Sequence, residues 1–167
     1  MGLSLCLVLS PLTAELQGCS AEGIADGSVL GRMEIGHMAM EPLFFKNATL
    51  NAAGLERAIE WTEDRIQAAR IQVPAGAQLF TRDADVWALA HASGVAQAER
   101  PVLHVDAVEQ SFSRLVMQSM GQASPQEALP ATASFFATVV FVRELMHHLH
   151  FPQIQLLGAP ATSHALP

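Results

Sequence analysis

Glu144, His147, His148 and His150 fall within the nine-residue stretch VRELMHHLH. Carboxylates and imidazoles are ligands for divalent transition ions. On a helix, Glu144 and His148 stand at i, i+4, and His147 and His150 at i, i+3. Either pair can therefore address one metal ion from a single face. The spacing matches neither HExxH nor a closed zinc pattern. The same residues also suit a helix C-terminus, where imidazoles complement the negative end of the dipole. Both readings stay open at the level of sequence.

A second concentration is MEIGHMAME, with Met33, His37, Met38 and Met40. Thioethers with an imidazole suit Cu(I). Strand alternation would put Met33 and His37 on one face and Met38 and Met40 on the other, which scatters the ligands. Methionines as core filler or interface residues are the expectation here.

A third set is Thr81, Arg82, Asp83, Asp85, His104 and Asp106. Each follows a segment expected to be a strand, and in open α/β sheets ligands bind beyond strand C-termini. If the two strands are parallel neighbours, these residues converge on one crevice. Alternatively the aspartates are helix caps.

The segment LFTRDADVWALAHASGV is similar to one segment of PIN-type ribonucleases, in which an Asp after such a strand helps to hold a metal ion. That family also needs an Asp closing its first strand, and LSLCLVLSPL has none. DADV resembles the DxD of haloacid dehalogenases, which implies a downstream catalytic lysine. The single lysine, Lys46, lies upstream. Neither family is assigned. GxxxxGK[ST], GxGxxG and GxSxG are absent, and no cofactor is expected.

Composition narrows the partners. The 167 residues carry a formal charge of −7, from 16 acids and 9 bases, with no basic cluster. Phosphate backbones and anionic membranes both need concentrated positive charge, so neither nucleic acid nor a membrane surface is expected as a partner. Half of the residues are hydrophobic, which argues against disorder. Cys6 and Cys19 are too few for a disulfide scaffold, so a cytoplasmic setting is expected. The opening MGLSLCLVLSPLTA has no Lys or Arg before Arg32. It therefore reads as a buried strand rather than a targeting peptide.

These residues need elements to position them. Strands are expected at 3–10, 28–36, 42–45, 77–80, 101–105 and 153–157. Residues 11–27 read as a loop. Helices are expected from Asn51 to Pro74, from Asp83 or Asp85 to Gly94, and from Asp106 to Gly121. In the last of these Asp106 is the cap and Glu109 the capping-box partner. A further helix start is expected at 124–127, with Pro125 at its first position. The last helix, 131–149, is apolar nearly all round and must be central.

The expected fold is α/β (or α+β). A mixed sheet of about five to six strands packs with four main helices in one domain over 1–158, followed by a tail at 159–167. The excess of apolar residues, MEIGHMAM and PLFF above all, leads to the expectation of a non-catalytic protein acting through self-association, as a homodimer, or through contacts with another protein. The alternative is a small-molecule-binding or metal-dependent enzyme built on the strand-end residues.

Overall fold

The computed structural model describes residues 2–126 and 128–158; the expected tail at 159–167 lies outside the described residues. These form a mixed six-stranded sheet and five α-helices, as expected for an α/β protein. The strands are β1 (Ser4–Leu9), β2 (Ala14–Cys19), β3 (Ala25–Met33), β4 (Gln78–Thr81), β5 (Val102–His104) and β6 (Gln153–Leu156). The helices are α1 (His37–Phe44), α2 (Ala52–Ala68), α3 (Ala84–Ala92), α4 (Val105–Ser119) and α5 (Ala133–His148).

The strand order is β3-β2-β1-β4-β6-β5. The first three strands are an antiparallel meander, and β1, β4 and β6 run parallel. β5 is antiparallel to β6. Alternation assigns the faces. Leu5, Leu7, Leu16, Leu79, Ile154 and Leu156 join the helices in one core cluster. Cys6, Cys19 and Phe80 form a small cluster apart from it, with Leu157 packed against them.

Three expectations for the elements are corrected. Residues 14–19 form a strand, not a loop. AELQGC does alternate, with Ala14, Leu16 and Gly18 buried and Glu15 and Gln17 half-buried. Gly18 hides the pattern; a Cβ there would lie 2.2 Å from Ser28 Oγ, so the Ser28 and Asp26 side chains fill the space beside it. Residues 42–45 are not a strand. They end α1, in which Met40 is buried, and Phe44 stacks edge-on against Trp61. Pro42 sits inside this helix, which stops two residues later. No helix starts among the described residues 124–126; a turn spans Pro125 and Gln126.

α5 is the centre of the molecule. Phe135, Phe136, Val139, Val140, Phe141, Val142, Leu145 and Met146 are all buried, covering every side of the helix. α1, α2, α3 and α4 all pack against it. Its start is fixed by Thr132, whose hydroxyl accepts from the Phe135 amide. Among the described residues no helix is long and apolar enough to cross a membrane.

Phe136 is enclosed and packs edge-on against Phe45 at 5.7 Å. Phe136→Ala should therefore lower stability by about 3–5 kcal/mol. Urea unfolding followed by circular dichroism checks this; a loss under about 1 kcal/mol would mean that α5 is not the centre of the core.

Candidate functional site

Strand directions decide which polar residues can meet. β1, β4 and β6 all end at one edge of the sheet, here called the crest. β1 leads into β2 on one side, whereas β4 leads through α3 towards β5 and β6 on the other. The gap between β1 and β4 is thus the topological switch point, where open α/β sheets bind ligands.

Thr81 closes β4 and is fully buried. Its hydroxyl donates to the Leu7 carbonyl at 2.9 Å and accepts from the Asp83 amide at 3.1 Å, tying the two parallel strands together. Asp83 caps α3, accepting from the Asp85 and Val86 amides at 2.9 and 3.4 Å. Burial pushes the Asp83 carboxyl up, while the amide of Asp85 pulls it back. Arg82 turns to the other face and donates to the Glu22 carbonyl at 2.6 Å.

Beside these residues lies a narrow cleft with about 20 Å³ of free space. Leu9, Ile35, Met40, Ala137 and Phe141 give it an apolar floor, and Ser10, His37, Asp85 and Thr138 line it with polar atoms. His37 Nδ1 stands 3.9 Å from Asp85 Oδ2, and both side chains are partly exposed. The Ser10 amide donates to Thr13 across the hairpin, but its hydroxyl has no hydrogen bond among the described residues. Gly36 precedes His37 at the start of α1. A Cβ there would lie 2.2 Å from the Pro11 carbonyl oxygen, so only glycine brings α1 this close to the β1–β2 turn.

The expected six-residue site does not converge. Thr81, Arg82, Asp83 and Asp85 share the crest. His104 pairs with Gln153, the first residue of β6, and so lies at the opposite edge. Three strand residues separate the two edges, about 10 Å along the strands. Asp106 goes with His104, in the first turn of α4. The N-cap position is His104, with no side-chain cap hydrogen bond, so Asp106 is not the cap. Glu109 does not fold back either. It accepts from Arg143 Nε at 2.9 Å and pairs with His147.

The methionine-rich segment is dispersed as expected. Met33 and Met40 are core, and Met38 is exposed. His37 and Met40 reach the cleft, His37 with its polar ring and Met40 as part of the apolar floor.

The 144–150 cluster is rearranged as well. His147 is engaged by Glu109. His150 adopts a left-handed backbone (φ 59°) after α5 and lines a shallow groove with Gly76 and Gln153. Glu144 and His148 remain together and are joined by Glu63 of α2. Sequence spacing gave no signal for Glu63, which lies far away in the chain, nor for Ser10.

No family model matches this sequence, and no curated protein matches it. The fold does match solved structures. The Aquifex aeolicus PPX-GPPA enzyme superposes with a TM-score of 0.68 at 13% identity, over 95% of this chain and 54% of that one. An exopolyphosphatase from Cytophaga hutchinsonii gives 0.58 at 11% identity, over 93% and 53%. The chain thus spans about half the length of these proteins, and what it shares with them is the fold.

This overturns the expectation of a non-catalytic protein: the fold is one that enzymes carry. Part of the physical ground for that expectation also falls away: Met33, Met40 and Phe45 are at most 1% exposed and belong to the protein's own core, whereas Met38 and Leu43 of the same segments are exposed.

Asp83 sets a pH dependence. A carboxyl held above its unfolded value adds stability that is complete below that value and is lost as pH rises through the folded one. Asp83→Asn keeps the cap and removes the titration. From about pH 3 to 6, wild type should lose stability relative to Asp83→Asn as pH rises, read by urea midpoints. Parallel curves would show that Asp83 is not desolvated.

Proposed function

We propose that this chain carries an enzymatic site in the crest cleft and that it hydrolyses phosphate esters or anhydrides. The observation that carries the proposal is the placement of Ser10, His37 and Asp85 around one cleft at the switch point between β1 and β4. The likeness in fold to a PPX-GPPA enzyme and to an exopolyphosphatase supports the phosphoryl class. It remains an analogy of fold.

His37 is the candidate general acid–base. An imidazole can exchange protons at neutral pH, and the Asp85 carboxylate stands 3.9 Å from its Nδ1. Ser10 is the candidate group for contacting the phosphate or the attacking water. The crest presents Asp83 and Asp85 without a lysine, and Arg82 is turned towards Glu22. A polyanionic substrate meets repulsion there unless it arrives as a divalent-cation complex. Such a complex is therefore part of the proposal.

Residues 1–158 act as one unit in this reading, supported by a single core cluster reaching from Leu5 to Leu156. The two free, buried thiols, Cys6 and Cys19, support a cytoplasmic setting.

The test is hydrolysis of p-nitrophenyl phosphate and of inorganic polyphosphate by purified chain, with Mg2+ and with EDTA. Turnover should require the cation. His37→Ala should lower kcat/KM by about a hundredfold or more. Asp85→Asn should lower it less, by about tenfold, because it acts through His37. Absence of both turnover and saturable binding of either substrate would overturn the proposal, as would full activity in His37→Ala.

A further inference from the structure

We infer that the far end of the molecule from the cleft holds a divalent transition ion, zinc above all, on Glu63, Glu144 and His148. The site lies about 15 Å from the cleft, since ten helical residues separate Thr138 from His148 along α5. It is independent of the proposed phosphatase activity.

The geometry comes first. His148 Nε2 stands 3.6 Å from Glu63 Oε1 and 3.6 Å from Glu144 Oε2. All three ligand atoms lie within 4.8 Å of one another. Zinc bonds of 2.0–2.2 Å at tetrahedral angles put ligand atoms about 3.3 Å apart. A shift of a few tenths of an ångström brings the two measured edges to that value. No direct hydrogen bond closes the trio. The edges are too long for one and suit an ion between them.

The chemistry of the donors agrees. Two carboxylates and one imidazole are a borderline set that suits zinc and its first-row neighbours, and three protein ligands leave a fourth position for water. Glu144 is the independent observation. It is 2% exposed, inside the most extensively buried helix of the described residues. Arg143 binds its Oε1, while its Oε2 accepts no hydrogen bond among the described residues and points at His148. Burial pushes the Glu144 carboxyl up, Arg143 pulls it back, and the nearby Glu63 adds to the rise. A divalent cation would relieve both.

The surroundings hold this carboxylate in place. The Arg143 guanidinium lies 4.3 Å from the Phe112 ring centroid and donates to Glu109 at 2.9 Å. It therefore presents Glu144 in one orientation, as outer partners of metal ligands do. Glu63 comes from α2, and Glu144 and His148 from α5, so the ion would clamp the C-terminal halves of two packed helices.

The test is zinc binding to the full chain after EDTA stripping and dialysis, by competition with a chromophoric chelator near pH 7.5. About one ion per chain is expected, at micromolar or tighter affinity. Glu63→Gln and His148→Ala alter partly exposed side chains. Each should weaken binding by at least about tenfold, with circular dichroism unchanged. A Cys6→Ser/Cys19→Ser variant should bind as wild type does. Zinc should raise the melting temperature of wild type and not that of His148→Ala. Substoichiometric binding by wild type, unchanged affinity in His148→Ala, or loss of binding in the cysteine variant would each overturn the site.

Discussion

α5 imposes the constraint on which the other elements depend. A helix with phenylalanine and valine on all sides is stable in water only when every side is covered, because each large side chain left exposed forfeits about 1.5–3 kcal/mol. The sheet alone covers one side of a helix. α1, α2, α3 and α4 supply the remainder. They can approach closely because their inward stripes include small residues: Gly54 and Ala58 in α2, Ala90 in α3 and Ser111 in α4. Two of the buried polar groups among them are satisfied locally, whereas the Trp87 indole N–H in α3 has no partner among the described residues. Thr62 bonds the Ala58 carbonyl, and Ser111 shares a hydrogen bond with Ser93. Covering an all-round apolar helix leaves little room for polar chemistry along its length. Polar chemistry meets α5 beside its N-terminal half, at the crest cleft, and at its C-terminal end, at the Glu63–Glu144–His148 trio.

The sheet then distributes residues between those ends. Three parallel strands aim their C-termini at the crest, and the thread of Thr81 hydrogen bonds locks β4 to β1 there. β5 is the exception. It enters the edge of the sheet antiparallel to β6 and passes into α4 without a loop, the Val105 amide bonding the Pro152 carbonyl. Its direction carries His104 and Asp106 away from Asp83. Strand polarity alone thus separates residues that strand ends alone would have united.

The legible parts of the fold were those whose signal is local. LSLCLVL could be read because a strand buried on both faces is a short, continuous apolar run. α2 could be read because Asn51 caps it and Leu55, Ala58, Thr62 and Ile66 repeat at helical spacing. β2 was masked by Gly18, whose role is set by β3 across the hairpin. α1 was masked by Pro42, tolerated because the burial of Met40 and the stacking of Phe44 on Trp61 outweigh one lost hydrogen bond. Of the sites, Glu144 and His148 were visible as a helical pair. Their third member arrives from α2, a tertiary event with no counterpart in spacing. Ser10 and His37 meet at one cleft because Gly36 lets the chain pass against Pro11, again a close approach between distant segments.

Glu144 shows how a breach of pattern carries information. Apart from Thr138, every buried neighbour in the preceding three turns of α5 is apolar, and a leucine at this position would avoid the cost of desolvating a carboxylate. Replacing buried ionic groups with apolar ones is commonly neutral or stabilising. Arg143 offsets part of that cost through one oxygen, but an arginine adjacent in sequence and held by Glu109 and Phe112 needs no buried carboxylate to stay ordered. The second oxygen faces outward along the helix towards an imidazole one turn away and a carboxylate on the next helix. Helix packing accounts for the burial of this residue, and Arg143 accounts for one of its oxygens. A cation shared with Glu63 and His148 gives the other a partner, and gives two carboxylates a reason to lie side by side.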